Sequence, residues 1–193
     1  ILRIAKPILR IAMKGFKFKI SDQTKPYFLT MTLVGWVNLF GAEKYRNIVL
    51  DALKFCQACK GLRIYAWVIM PSHIHMIADS KNGTLSKTIG EFKRHTSKHI
   101  FKTLQEEDEF DSSEFISFFS DISTLHSRNN DYQVWKQDNH PVELFSKEFI
   151  YNKIDYIHNN PVKSGLTSRV EDYPFSSARN YAGLTGILDV EIA

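Results

Sequence analysis

The sequence predicts an α+β domain with one antiparallel sheet, helices on one of its faces, and a further helix towards the C-terminus. Three observations carry this. Short β-rich or continuously apolar runs occur at residues 26–34, 63–70 and 73–78. Longer stretches at 42–60 and 84–104 repeat their apolar residues with helical period. Only Pro71 and Ser72 separate the second and third runs, a connection too short for anything but an antiparallel pair.

The 193 residues suit one domain with a real core, or one domain plus extensions. A hydrophobic content of 44% with 13% aromatics excludes a disordered chain. The net charge of +4 permits a polyanionic partner without requiring one. No apolar run reaches the ~18 residues of a membrane span. The first twelve residues repeat Ile-Leu-Arg-Ile-Ala and show no signal-peptide pattern. Met13 is the expected natural start, with an added extension before it. The other reading is a basic arm, since residues 1–19 hold six Lys or Arg and no acid. The expected division is an N-terminal extension at 1–25, one domain at 26–183 and a tail at 184–193.

Residues 26–34 (PYFLTMTLV) alternate Thr30 and Thr32 against Leu29, Met31 and Leu33, as a first strand does. In the helix at 42–60, Tyr45, Val49, Ala52, Leu53 and Cys56 share one side, and Gly61 is the expected stop. Cys56 and Cys59 have no second ligand pair at zinc spacing, so two buried thiols are expected, in keeping with a reducing cytosol. Residues 63–70 are apolar on both faces, as a central strand is. The helix from Thr84 to about Leu104 buries Leu85, Ile89, Phe92, Thr96 and Ile100. Opposite them stand Lys87, Arg94, Lys98 and Lys102, with Glu91 the one acid between. That face is either simply solvated or a ridge for phosphates.

Residues 106–120 (EEDEFDSSEFISFFS) break the rhythm and read as the start of an insertion running to about 130. Phe115, Ile116, Phe118 and Phe119 imply packing on the domain or on a second copy. Residues 133–136 read as a fourth strand. Ser146 caps a helix with Glu148 in its first turn, ending near Asn159-Asn160-Pro161. Residues 172–177 lead into a short final helix. The resulting β-α-β-β-α-β order is ferredoxin-like, or equally RRM-like, and hosts many functions.

Function has to come from particular residues. His73-Ile74-His75 follows the second strand, and in extended chain both imidazoles project to one side. Such a pair can share a divalent cation, or can be two satisfied core histidines. In the later helix, Ile150, Ile154 and Ile157 form the buried stripe. Tyr156 and Asn160, four residues apart, lie on a more polar face with Lys153 adjacent. Tyr156 is either an amphipathic residue at the core edge or a hydroxyl facing a cleft. Tyr151 falls on another face.

Residues 66–75 (AWVIMPSHIH) resemble the A-W-x-x-M-P-x-H-x-H segment of the REP-associated tyrosine transposases, single-tyrosine HUH transposases of small insertion sequences. Residues 155–166 (DYIHNNPVKSGL) are similar to that family's D-Y-I-x-x-N-P-V-x-x-G segment, and 172–177 (DYPFSS) to the tail behind it. The likeness runs in order over about 26–183. It implies that His73 and His75 are metal ligands, that Tyr156 is the nucleophile, and that Asn160 completes the shell of Mg²⁺ or Mn²⁺. It further implies cleavage and rejoining of single-stranded DNA near hairpins, through a 5′-phosphotyrosine. Either a monomer, or a homodimer exchanging the tyrosine helix, is compatible. The place of action would be the bacterial cytoplasm, at the nucleoid when DNA-bound, with no membrane partner.

A free phenol titrates near 10, so its proton needs help to leave, and Lys153 is a candidate. Lys87, Arg94, Lys98, Lys102, Lys153 and Arg179 are the expected DNA contacts, with Trp135, Tyr173 and Arg179 as base-stacking candidates. The extension and the insertion depart from the family pattern and bear on oligomeric state. Two other readings stand beside this one. The first is a non-catalytic single-stranded nucleic-acid-binding module derived from a transposase. The second is a metallohydrolase using His95 and His99, which lacks the Glu that would serve as its base.

Overall fold

The structure, a computed structural model, describes residues 19–107, 110–124 and 131–192. The expected basic arm and start at Met13 lie outside the described residues, as does the end of the insertion at 125–130. The elements are β1 (Tyr27–Thr32), α1 (Glu43–Lys60), β2 (Leu62–Met70), β3 (His73–Ser80), α2 (Leu85–Glu106), α3 (Phe110–Thr124), β4 (Val142–Glu143), α4 (Lys147–Lys163) and α5 (Ala178–Tyr181). The sheet order is β2-β3-β1-β4 and every pair is antiparallel. This is the predicted β-α-β-β-α-β arrangement.

Alternation along the strands splits the core in two. One face presents Leu29, Met31, Ile64, Trp67, Ile69, Ile74 and Met76, and α1 and α2 cover it with residues such as Val49, Leu53, Ile89 and Phe92. The other presents Phe28, Ala66, Val68, Met70 and Ile77 to Ile154 and Ile157 of α4. Because side chains alternate, the strand that anchors one core with Ile74 and Met76 must turn His73 and His75 to the other face. Gly61 ends α1 at φ +69°, and a Cβ there would meet the Asn82 amide nitrogen at 2.8 Å. That explains the expected stop in physical terms.

Three expectations need correction. The fourth strand is Val142–Glu143, not 133–136. The 133–136 segment does follow the β1 edge, with Val34 N–H donating to Val134 O (2.9 Å) and Lys136 N–H to Thr32 O (2.8 Å). His140 at φ +42°, followed by Pro141, then interrupts the ladder before it resumes opposite Tyr27 and Phe28. Second, α4 does not stop at Asn159–Pro161 but runs on to Lys163. Its final turn is closed by Ser164 N–H to Asn160 O and Leu166 N–H to Pro161 O, and Pro161 itself is buried. Third, Cys59 is exposed, and only Cys56 is buried, its thiol pushed up to about 11 by desolvation. Of the two covers expected for the insertion, the domain itself is the one found: its described part is a helix, and Phe115 and Phe119 of α3 are buried in the α1/α2 core.

The outer edge of β2 is closed by the segment before α5. Ile69 N–H donates to Phe175 O (2.9 Å) and Ser177 N–H to Trp67 O (3.0 Å). At the far end of β2, Arg63 grips Asp79 of β3 through Nε–Oδ1 (2.6 Å) and Nη2–Oδ2 (2.7 Å), and Tyr65 donates to the same carboxylate (2.8 Å). The Asp79 side chain is 2% exposed and that of Arg63 33%. Arg63→Ala leaves a buried carboxylate with Tyr65 as its one remaining side-chain donor. We expect a loss of about 3 kcal/mol in urea unfolding, since removing one partner strands the other charge. Unchanged stability would mean that water reaches Asp79. Among the described residues no helix is long and apolar enough to cross a membrane.

Candidate active site

His73 and His75 sit in the middle of the sheet. Thr32 and Thr30 of β1 lie opposite them on one side, Met70 and Val68 of β2 on the other. The two imidazole centres are 4.7 Å apart, at 74° to each other. Thr30 Oγ1 lies 3.0 Å from His75 Nδ1, and Ser72 Oγ lies 3.1 Å from His73 Nδ1. With Nδ1–H given to a hydroxyl, each ring keeps the Nε2 lone pair for another ligand. Burial depresses His73 to about 4 and His75 to about 3, and the charges of His73 and Lys153 add to the effect on His75. Both rings are therefore neutral at pH 7, the form that binds metal.

The α4 helix brings Tyr156 to this pair. Ser146 Oγ accepts from Phe149 N–H (3.2 Å) to start the helix, and Ile154 and Ile157 bury one side of it against the sheet. Tyr156 stays 40% exposed with its ring centre 5.2 Å from that of His75. Phe28 stacks on His75 at 5.3 Å and meets Tyr156 edge-on at 5.9 Å, so one aromatic side chain supports both. Lys153 Nζ and Lys163 Nζ stand 5.6 and 5.9 Å from the Tyr156 ring centre. Asn160 is half-buried one turn beyond Tyr156, and its side chain makes no hydrogen bond among the described residues. Tyr151 instead lines a small cavity with Pro26, Tyr65 and Lys147. A further contact locks the helix: His158 Nε2 is 2.8 Å from Ser177 Oγ, which also accepts from Trp67 N–H (2.9 Å).

Residues 37–123 match the model of a protein family described as "Transposase IS200 like". That segment is of the IS200-like transposase family. It contains both histidines and α3, and ends before α4, so the place of Tyr156 and Asn160 rests on the geometry above. A solved structure of a REP-associated tyrosine transposase, bound to a REP hairpin, shares the fold with a TM-score of 0.59. It is 18% identical and the alignment covers 94% of each chain. No curated protein matches the chain.

The fold does not bring all the sequence-predicted residues together. Lys87, Arg94, Lys98 and Lys102 are exposed on α2, which packs on the sheet face opposite the histidines. Lys102 pairs with Glu106 at 3.4 Å, while Arg94 and Lys98 line an open groove leading to Lys136. Trp135 is 4% exposed, and its Nε1–H donates to Thr96 Oγ1 (3.0 Å), so no base can stack on it. The Tyr173 hydroxyl donates to Ile69 O (2.8 Å), and Arg179 donates to the carbonyls of Thr185 and Glu171. These two hold the tail rather than face the site. His95 and His99 approach to 4.3 Å on exposed helix surface, and among the described residues no group of three His, Cys, Asp or Glu could hold a metal there or elsewhere. Sequence reasoning missed Phe28, Thr30, Trp36 and Lys163. For Thr30 a signal existed, its alternation with buried Leu29 and Met31, but the strand register that pairs it with His75 was not readable.

Proposed function

We propose that this protein is a DNA strand transferase that cleaves and rejoins single-stranded DNA near hairpins, with Tyr156 as nucleophile. The observation that carries the reading is the Tyr156 ring 5.2 Å from His75, on a helix of the same chain. The fold-sharing neighbour bound to a REP hairpin supports a hairpin-bearing partner of that kind.

The donor set fits a divalent cation. Two neutral imidazoles with hydroxyl-supported Nδ1 atoms would hold it, with the Asn160 amide oxygen and water or substrate oxygen in the remaining positions. Mg²⁺ or Mn²⁺ bound there supplies charge stabilisation to a phosphate in the transition state. The chain's own residues do the rest. Tyr156 Oη attacks the phosphorus, forming the O–P bond of a 5′-phosphotyrosine as the bond to the 3′-oxygen breaks. The phenol loses its proton and the departing 3′-oxygen gains one. Lys153 and Lys163 place positive charge beside the phenol as its proton leaves. Phe28 keeps His75 and Tyr156 in fixed relation. Attack by a second 3′-OH on the phosphotyrosine reverses the step and joins strands without ATP.

The test is a covalent adduct. Labelled hairpin-bearing single-stranded DNA with Mn²⁺ should give a protein–DNA band on a denaturing gel, and Tyr156→Phe should give none. An adduct that survives in Tyr156→Phe would remove Tyr156 from its role. Binding without any adduct, whatever the metal, would favour the non-catalytic binding module.

A further inference from the structure

Trp36 is left 56% exposed beside the histidine pair, while Trp67 and Trp135 are 0% and 4% exposed. Its ring meets that of His73 edge-on, with centres 5.4 Å apart. Lys136 Nζ lies 4.7 Å from the centre of the Trp36 ring system. Its backbone is unusual: Trp36 has φ +57° directly after Gly35 at φ +67°. For a bulky residue that conformation is strained and persists only where the surroundings impose it.

The surroundings do impose it. A Cβ on Gly35 would lie 2.4 Å from Phe118 Cζ, so α3 is pressed onto the loop at that point. Trp36 N–H donates to Leu33 O (3.2 Å), and Val34 N–H is tied to Val134 O (2.9 Å). The chain thus turns an indole outward at the one place where it stands next to His73. An indole serving only to fill space would be buried, as the other two are.

Lys136 continues into the groove that reaches α2. Its carbonyl accepts from Lys93 Nζ (2.6 Å), which also donates to Asn139 Oδ1 (2.7 Å). Lys93, Arg94, Lys98 and Lys136 line this groove of about 1150 Å³ against two acids, Glu91 and Asp131. Glu91 is itself paired with Lys60 at 3.2 Å. The groove therefore runs from the basic side of α2 to Lys136, whose ammonium stands beside Trp36, with an excess of positive charge.

We propose that Trp36 is a stacking platform for the nucleobase adjoining the scissile phosphate, and that the Lys93–Lys136 groove carries the phosphates of the single strand leading to it. The proposal rests on the strand-transfer reading for the word scissile, and on geometry alone for the platform. Single-stranded DNA is the ligand class, because a base offers its face to an indole only when unstacked from its neighbours. It also accounts for α3, whose Phe118 holds up the loop that presents the indole.

The test uses oligothymidylate of 15 nucleotides in EDTA, so that binding is read without cleavage. Trp36 dominates the solvent-exposed emission, and DNA should quench it in the unaltered protein but not in Trp36→Phe. Trp36→Gly, which accepts the left-handed backbone, should weaken binding about tenfold, and Trp36→Phe, which keeps a ring, clearly less. Lys136→Ala should lower the salt dependence of binding by about one phosphate contact. The adduct assay runs alongside. If the unaltered protein forms the Tyr156 adduct while Trp36→Gly, folded by circular dichroism, binds oligothymidylate as tightly, the platform is overturned and the chemistry stands. If no adduct forms yet DNA quenches Trp36, strand transfer falls and the platform for single-stranded DNA stands.

Discussion

Replacing His73 and His75 together by alanine should reduce DNA cleavage at least about a thousandfold while leaving single-stranded DNA binding within a few-fold. A metal on a phosphate supplies several kcal/mol of transition-state stabilisation, and each ~1.4 kcal/mol is a factor of ten. Binding should survive because the exposed cations, Trp36 and the groove lie outside the pair. The fold should survive because the core residues of β3 are Ile74 and Met76, both 0% exposed on the other face, and the substitutions leave them in place. Some stability is lost, since His75 is 5% exposed and packs on Phe28. Cleavage measured against manganese concentration, with an EDTA control and circular dichroism of the variant, decides it. A variant that cleaves normally sinks the metal-ligand assignment. A variant that does not fold shows that the two imidazoles serve the core.

The second large effect is on stability in acid. His73, His75 and His158 are held at about 4, 3 and 4, all below the ordinary imidazole value of 6.5, and in each case burial is the main cause. Above pH 6.5 these rings are neutral folded or unfolded, so they contribute no pH dependence. Between 6.5 and about 4 the unfolded chain takes up protons that the folded chain refuses. Stability must then fall as pH falls, by up to ~1.4 kcal/mol per pH unit for each ring. In metal-free buffer the melting temperature should therefore be flat from pH 8 to 7 and drop steeply from 6.5 to 4.5. Replacing His73 and His75 by asparagine removes two of the three groups and should flatten most of that limb. A melting temperature that holds down to pH 5 would mean that water reaches these rings.

Much of the fold was readable, because the signals used are local. Alternation located β1, and the continuously apolar run located β2. The two-residue break at Pro71-Ser72 required an antiparallel pair, which is observed with Met70 opposite His73. The misreadings share a cause. Residues 133–136 have strand composition, but a ladder needs a partner along its whole length, and His140-Pro141 interrupts this one. Pro161 reads as a stop, yet a proline near a helix end loses one hydrogen bond and can be kept where its ring is buried. Trp135 looked like a stacking surface because composition does not report which side of an edge segment faces the core. Trp36 went unnoticed because nothing in the sequence says that a tryptophan four residues past a strand will adopt a left-handed backbone.

The sequence by itself determined that His73 and His75 share one face of a strand, and that Tyr156 and Asn160 share one face of a helix. Backbone periodicity settles both, whatever the rest of the chain does. Only the tertiary structure decided that the Tyr156 ring comes to within 5.2 Å of His75 in one chain. It also decided that Thr30 supports His75, that Phe28 spans His75 and Tyr156, and that the basic ridge of α2 lies across the sheet with a groove leading back from it. Those relations depend on strand register and on which face of the sheet each helix covers. Both are set by packing between elements distant in sequence, and no local pattern carries them.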